Sequence, residues 1–133
     1  MNSSIFSKIV RGEIPCHKIH EDENHLAFLD VMPLVPGHVL CIPKKETDYM
    51  FDLSEDELAD LWKFTLPIAK AIKKSVDCKR IGTAVIGLEV PHVHIHLVPL
   101  NQVGDINFAR EKMKPSHEEL SEMAAIIRSN LTI

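Results

Sequence analysis

The sequence is short of several residue types, and each shortage excludes a class of protein. Its three cysteines, Cys16, Cys41 and Cys78, are odd in number and lack the spacing of a zinc site. We therefore expect free thiols and a cytoplasmic location. Fifteen Lys and Arg residues are outnumbered by 19 Asp and Glu, and this formal charge of −4 argues against a nucleic-acid polymer as the partner. No apolar run approaches the length of a membrane span, and the N-terminal segment is too short and polar for a signal peptide, so no membrane partner is expected.

What remains is the composition of a globular protein, with 45% hydrophobic and 26% charged residues. A chain of 133 residues is long enough to bury a core without disulfides or metals. The composition does not shift along the chain, and no repeat or linker is visible. We therefore predict a single domain over residues 1–133.

The spacing of hydrophobic residues predicts an α+β fold. Helical spacing occurs within residues 3–15, 54–76 and 116–131, and the last two segments open with capping boxes that begin at Ser54 and Ser116. Trp62 falls on the apolar stripe of the long helix, which Pro67 is expected to kink. Strands are predicted within residues 17–31, where two strands join at residues 22–24, and at 38–44, 80–90 and 92–100. Because these strands follow one another in hairpins, the sheet should be mainly antiparallel.

The segment PHVHIHLVP, residues 91–99, carries a histidine at every second position. Alternation of this kind is typical of an extended strand, in which successive side chains point to opposite faces. His92, His94 and His96 would then share one face while the aliphatic residues between them face a core. Neighbouring imidazoles this close cannot all be protonated cheaply, so the row should stay largely neutral or meet something negative.

Three interpretations of the histidine row remain open. It could bind a transition metal, although His92 and His96 would lie ~13 Å apart along a strand, too far for one ion to bind all three. It could be a hydrated face of the sheet without chemistry. It could also transfer phosphoryl groups, because a neutral imidazole is a competent nucleophile near pH 7 and its neighbours can donate hydrogen bonds to phosphate oxygens. Only the last interpretation explains the number, spacing and neutrality of the histidines together.

The segment HVHIHLV resembles the His-x-His-x-His signature of the histidine-triad (HIT) superfamily of nucleotide hydrolases and transferases. The segments IFSKIVRGEIP and EDENHLAFLDVMPLVPGHVLCIPKK resemble the Hint-like bacterial branch, so the similarity covers about residues 4–100 and leaves residues 101–133 as an extension with a helix. The resemblance implies a HIT-like fold, with a five-stranded antiparallel sheet flanked by one long and several short helices. It also implies a homodimer that attacks the α-phosphate of a purine nucleoside phosphoramidate, adenylate or dinucleoside polyphosphate.

The resemblance assigns roles to individual residues. It makes His94 the nucleophile that forms a covalent nucleotidyl-histidine intermediate, with His92 and His96 flanking the phosphate as orienting or donor groups. It makes His38 a supporting residue from a neighbouring strand and Asp30 the acceptor for the ribose hydroxyls. The base pocket would be walled by four apolar residues: Phe6, Ile9, Phe28 and Val31.

The sequence departs from this family pattern in three places. Ser4 and Ser7 stand where many relatives carry zinc-binding cysteines, and Glu46 stands where a zinc-binding histidine often follows, so we expect no structural zinc and no cofactor. The turn before the triad is shortened to GLEVPH and places Glu89 near the phosphate, where it could bind a cationic leaving group. The segment RIGTAVIG also lacks the Asn that often faces the phosphate. Two rivals therefore stay open, a purine-nucleotide-binding regulatory module with little hydrolysis and a His-ligated metal protein.

Overall fold

The structure is a computed structural model that describes residues 3–133. It consists of three helices and five strands, with short 3₁₀ segments at Met50–Asp52 and Val103–Ile106. The elements follow one another as α1 (Ile5–Val10), β1 (Lys18–Glu21), β2 (His25–Leu29), β3 (Val39–Pro43), α2 (Glu55–Ser75), β4 (Arg80–Ala84), β5 (Ile95–Leu100) and α3 (His117–Ser129).

The five strands form one antiparallel sheet in the order β1-β2-β3-β5-β4. This arrangement confirms the predicted α+β fold, with one long helix and two shorter ones beside the sheet. His96 lies opposite Leu40 of β3 on one side and opposite Ala84 of β4 on the other. The third histidine of the row is therefore held between two neighbouring strands.

The sheet separates two apolar clusters. The larger one lies against α2 and α3 and includes Val93, Ile95 and Leu97, the aliphatic residues that alternate with the histidines. The smaller one lies on the opposite face and consists of five buried residues: Phe6, Leu26, Phe28, Leu40 and Ile42. Burial of each such large apolar side chain stabilises the fold by about 1.5–3 kcal/mol, which fixes the face on which every strand residue lies. The histidines consequently share their side of the sheet with the smaller cluster and with α1.

The helices begin where their caps predict. Ser54 and Ser116 each form a capping box with the Glu three residues later, and α2 continues through Pro67. The position of Trp62 on the apolar stripe of α2 predicts a buried residue, and this prediction is wrong, because Trp62 is 39% exposed. Successive helix residues differ in direction by about 100°, and Leu61 takes the buried position, so its neighbour is turned towards solvent. Within residues 3–133, no helix combines the length and apolarity needed to cross a bilayer.

The hairpin that carries the histidines is shorter than predicted. The strands expected over residues 80–90 and 92–100 are confirmed only as β4 and β5, and residues 85–94 form a connection between them. Gly87 adopts a φ of +73°, and Pro91 has no N–H for a strand ladder. The N–H of Val93 donates to the backbone oxygen of Thr47 at 2.7 Å, and Thr47 lies outside the strands of the sheet. Two of the three histidines therefore precede the strand rather than lie in it.

Candidate active site

A cavity of about 510 Å³ opens beside the histidine row. His94 and His96 line it, and Asp30 and Glu89 contribute carboxyl groups. Its remaining lining residues are Ile5, Phe6, Val31, Met32, Leu40, Ile86, Gly87, Leu88, Val90, Phe108 and Lys112. Most of these side chains are apolar, with a few convergent polar groups, which is the usual composition of a small-molecule site.

A hydrogen bond to the backbone determines which ring nitrogen of His94 carries the hydrogen. Its Nδ1 atom lies 2.6 Å from the carbonyl oxygen of His92, and a carbonyl can only accept, so Nδ1 carries the hydrogen. No buried side-chain nitrogen or oxygen within residues 3–133 lacks a hydrogen-bond partner. The Nε2 atom of His94 has none from the protein and is therefore reached from the cavity. In the neutral ring this nitrogen holds a free lone pair, as a nucleophile requires.

In His96 the hydrogen is on the other ring nitrogen, because two successive hydrogen bonds link this ring to a backbone N–H. The N–H of Leu34 donates to Nδ1 of His38 at 3.1 Å, so the hydrogen of neutral His38 must be on its Nε2 atom. That Nε2 donates to Nδ1 of His96 at 2.9 Å. The hydrogen of His96 is then on Nε2, the nitrogen that no protein group binds. His96 presents an N–H donor to the cavity where His94 presents a lone pair.

Burial keeps this pair of histidines neutral. It is the main cause that lowers the pKa of His38 to about 4 and that of His96 to about 3. The charges that the neighbouring histidines would carry lower both pKa values further. The direction of the hydrogen-bond chain is therefore the same across the physiological pH range.

His92 lies behind the cavity rather than in its lining. Its Nε2 donates to the carbonyl oxygen of Pro43 at 2.8 Å, and its Nδ1 accepts from the Ser4 hydroxyl at 2.7 Å. Both ring nitrogens are thus used by the protein, and burial is the main cause that lowers the pKa of this ring. The structure does not place His92 beside the other two rings as a phosphate donor. Its contribution to the cavity is the carbonyl that orients His94.

The serines at the start of α1 form a hydrogen-bonded cluster with Glu46. Glu46 accepts from the Ser4 N–H and from the Ser7 hydroxyl, both at 2.7 Å, and the Ser7 N–H donates to the Ser4 hydroxyl oxygen at 3.0 Å. The donors, with the Ser4 N–H first among them, lower the pKa of the Glu46 carboxyl. The cluster joins α1 and the segment after β3 to the ring of His92, because the Ser4 hydroxyl also donates to it.

Some of the residues predicted to bind the nucleoside line the cavity, and others do not. Phe6, Val31 and Asp30 line the cavity, and the Phe6 ring meets the His94 ring edge-on at 5.0 Å. Ile9 and Phe28 are not in the lining, contrary to their predicted place in the pocket wall. Phe28 belongs to the smaller apolar cluster, where its ring meets that of Phe6 edge-on at 5.5 Å, and Ile9 packs against the same cluster.

Asp30 is positioned by its own backbone. Its Oδ1 accepts from the N–H of Met32 at 2.9 Å, and its Oδ2 lies 3.7 Å from Nε2 of His38. Burial raises the pKa of this carboxyl, while the Met32 N–H and then the charge of Lys112 oppose that rise. A carboxylate with one oxygen bound and one facing a cavity can accept from a hydroxyl of a ligand.

Two site residues come from a segment to which the sequence assigns no role. The ring of Phe108 lies 4.6 Å from the ring of His96, and Lys112 reaches the same cavity. The segment after β5 has no hydrophobic periodicity, and its return across the sheet depends on long-range contacts. No local pattern could have placed these two side chains at the site.

The only group of three side chains within residues 3–133 that could reach one metal ion is Asp30, His38 and His96, whose ligand atoms lie within 4.8 Å of one another. This is not the row of three histidines that the metal interpretation invokes. Two of these residues already form a hydrogen bond with each other, with 2.9 Å between Nε2 of His38 and Nδ1 of His96. An ion there would have to displace the hydrogen of that bond.

Comparison with known proteins shows the family to which the chain belongs. The model of the HIT domain family matches residues 11–103, and the chain belongs to that family. It is 38% identical to the adenosine 5′-monophosphoramidase hnt1 of Schizosaccharomyces pombe, over 73% of this chain and 74% of that protein. A crystal structure of a HIT-like protein from Bartonella henselae superposes with a TM-score of 0.84 at 34% identity and covers 98% of both chains. A zinc-bound histidine-triad protein from Mycobacterium smegmatis superposes with a TM-score of 0.79 at 29% identity, over 96% of this chain and 92% of that one.

Proposed function

We propose that this chain is a nucleotide hydrolase or transferase that acts at the α-phosphate of a purine nucleoside phosphoramidate, adenylate or dinucleoside polyphosphate. The observation that carries the proposal is the contact between His94 and the His92 carbonyl, which leaves the Nε2 lone pair of His94 facing the cavity. Relatives of the chain include an adenosine 5′-monophosphoramidase, which supports this substrate class.

In the proposed reaction, Nε2 of His94 attacks phosphorus and forms a P–N bond. The bond from phosphorus to the leaving group breaks, and the leaving group keeps the electron pair and takes a proton from water. The ring of His94 becomes positively charged, and its Nδ1–H donates more strongly to the His92 carbonyl. His96 donates its Nε2–H to a phosphate oxygen during this step. Water then attacks phosphorus, and the P–N bond breaks with its electron pair returning to Nε2 of His94. The proton that this water loses neutralises the hydroxide left by the first step, and the nucleotide is released.

Turnover by a His94 variant tests the proposal. His94→Asn should lower kcat for an adenosine phosphoramidate by at least about 1000-fold, because the nucleophile is lost. Binding of AMP should be largely unchanged, since the cavity wall is kept. The control is His25→Asn, which replaces a buried histidine outside the cavity and should leave kcat unchanged. Full turnover by His94→Asn would refute the covalent mechanism.

A second candidate function is a nucleotide-binding regulatory module with little hydrolysis. Glu89 favours it, because a carboxylate in the cavity lining repels an anionic phosphate and would slow attack. Glu89→Gln separates the two functions. Faster turnover of the variant with an anionic leaving group would identify Glu89 as a selective element of an enzyme, while tight AMP binding without turnover in both proteins would favour the module.

We also propose that the chain uses no metal or other cofactor. Zinc prefers thiolate and imidazole ligands, whereas this chain offers two hydroxyls and a carboxylate around His92. These groups already satisfy one another by hydrogen bonds, so they do not fit a zinc ion. Elemental analysis of protein purified without a histidine tag tests this, with less than about 0.1 equivalent of zinc or iron expected. Stoichiometric metal would support the metal-protein alternative.

A homodimer is the proposed assembly. Tyr49 and Phe51, with side chains 57% and 72% exposed, lie beside a hollow of about 360 Å³ that Val85 and Ile86 also line. A second copy would cover this apolar surface next to the edge strand β4. Phe51→Glu should therefore yield monomers in analytical ultracentrifugation. Val103→Glu, at a side chain 89% exposed elsewhere, is the matched control and should remain dimeric.

The proposal extends to the whole chain as one domain. Leu120, Ala124 and Ile127 of α3 are buried in the same cluster as the central strands, so the C-terminal extension shares the core. The three free cysteines support the proposed cytoplasmic location.

A further inference from the structure

The segment between β5 and α3 returns over the histidines and brings one basic side chain with it. Phe108 packs on His96, and the N–H of Met113 donates to the backbone oxygen of Pro33 at 2.9 Å. Lys112 lies between these two attachment points and lines the cavity. The region matched by the HIT domain family ends at residue 103, so this part of the site lies outside it.

The charges in the cavity lining give Lys112 a distinct position. Among the described residues, it is the only lysine or arginine that lines the cavity, whereas Asp30 and Glu89 both contribute carboxyl groups. His96 is a neutral donor because its hydrogen comes through the chain that starts at the Leu34 backbone. His94 must also be neutral at Nε2 to act as a nucleophile. Without Lys112, a phosphate in this cavity would meet neutral donors and two carboxylates.

We propose that Lys112 binds the phosphate of the nucleotide and supplies the positive charge that the histidines of this site do not. This inference rests on the proposed function, because it assigns a ligand group within the same cavity. A Lys ammonium is a mobile point charge with three donors, which suits a phosphate whose charge moves during the reaction. Lys112 is therefore a binding and specificity residue, contributed by the C-terminal extension.

The electrostatic influence of Lys112 already reaches the catalytic groups. Its charge is the second cause, after burial, of the lowered pKa of His38. It also favours the ionised form of Asp30. Because Lys112 lines the same cavity as Asp30 and His94, its ammonium group can approach a phosphate bound beside His94.

Equilibrium binding of AMP tests the inference, with calorimetry at low ionic strength as the measurement. Lys112→Met keeps the length of the side chain and removes its charge, and should weaken AMP binding roughly 10- to 100-fold, as expected for the loss of one charge-assisted hydrogen bond. Lys112→Arg keeps the charge and should stay within about threefold of the wild type. Lys114→Met removes an exposed charge two residues away that is not in the cavity lining, and should change AMP affinity by less than about twofold.

The outcomes separate this inference from the proposed function. If the wild type binds no AMP and turns over no adenosine phosphoramidate, the proposed function fails. If the wild type binds AMP but Lys112→Met behaves like Lys114→Met, the inference is overturned and the proposed function stands. Equal losses in Lys112→Met and Lys112→Arg would also overturn it, because the shape of the side chain rather than its charge would then matter. Thermal unfolding of each variant verifies that the fold is kept.

Discussion

The Nε2 atom of His38 lies 2.9 Å from the Nδ1 atom of His96, and a single backbone N–H decides which of these nitrogens carries the shared hydrogen. Because Leu34 donates to the other nitrogen of His38, the hydrogen cannot move to the opposite arrangement without leaving a buried donor facing a donor. In His94 the backbone partner is an acceptor, the His92 carbonyl, so the hydrogen is on Nδ1 and the lone pair is on Nε2. Two neighbouring imidazoles on the same segment therefore face one cavity as a donor and an acceptor.

Removal of His38 should disturb catalysis more than it disturbs the fold. In His38→Ala, the N–H of Leu34 and Nδ1 of His96 lose their partner, and His96 can take the other tautomer. We expect kcat to fall roughly 10- to 100-fold, measured with an adenosine phosphoramidate. His25→Ala is the matched control, since His25 is also buried but bonds to Asp22 and stacks on Phe64. Similar kcat values in the two variants would contradict the role of the hydrogen-bond chain.

Acid should destabilise the protein through the neutral histidines. The folded pKa values of about 4 for His38 and about 3 for His96 lie below the unfolded value of 6.5, so the unfolded chain binds more protons between those values. The free energy of unfolding is therefore highest above about pH 6.5 and falls as the pH drops towards 4 for His38 and towards 3 for His96. Each histidine should add about 1 kcal/mol per pH unit to the slope of the free energy of unfolding, measured by urea unfolding from pH 7 to 5. His38→Gln should have a shallower slope; an unchanged slope would refute this assignment.

Ser4 has two tasks that a matched substitution can separate. Its side chain caps α1 and also donates to Nδ1 of His92. Ser4→Ala should lower the free energy of unfolding by about 1–2 kcal/mol and reduce kcat by about tenfold, since the His92 ring and its carbonyl lose their support. Ser116→Ala removes the equivalent cap of α3 and should reduce stability alone. Equal kcat in both variants would show that the cluster with Glu46 is purely structural.

The ribose assignment of Asp30 can be tested with a change of substrate. Asp30→Asn should raise KM roughly tenfold for a ribonucleotide, because an amide is a weaker acceptor than a carboxylate. A 2′,3′-dideoxy substrate has no hydroxyls to donate, so the same substitution should leave its KM nearly unchanged. Equal losses with both substrates would mean that Asp30 acts through the contact with His38 rather than through the sugar.

The sequence predicted the strongly periodic parts of this structure. The capping boxes of α2 and α3 are local signals, and the helix starts that they predict are confirmed. The alternation with histidines correctly places Val93, Ile95 and Leu97 in the core, whereas the strand that it predicts begins only at Ile95. An apolar stripe does not define the burial of every residue beside it, as Trp62 illustrates, because adjacent helix positions differ in direction by about 100°. The ends of β4 and β5 were predicted wrongly although Gly87 and Pro91 are local signals for a break in a strand, because Gly87 takes a φ of +73° and Pro91 has no N–H for the ladder.

The site was predicted in part. The placement of Asp30 and His94 in one cavity agrees with the resemblance to the histidine-triad proteins, whereas Ile9 and Phe28 lie behind it. Phe108 could not be predicted there, because its position depends on how the extension folds back over the sheet. The tautomers could not be predicted either: that of His92 depends on the distant Pro43 carbonyl, and those of His94 and His38 depend on how the fold orients nearby backbone groups.

The most direct test of the central claim is intact-mass spectrometry of the protein mixed rapidly with an adenylated amine and quenched in alkaline denaturant, which preserves a phosphorus–imidazole bond. Covalent catalysis by His94 predicts a transient adduct of one AMP group per chain, located on the peptide that carries His94 and absent from His94→Asn. Rapid turnover without this adduct, or an adduct that persists in His94→Asn, would contradict it.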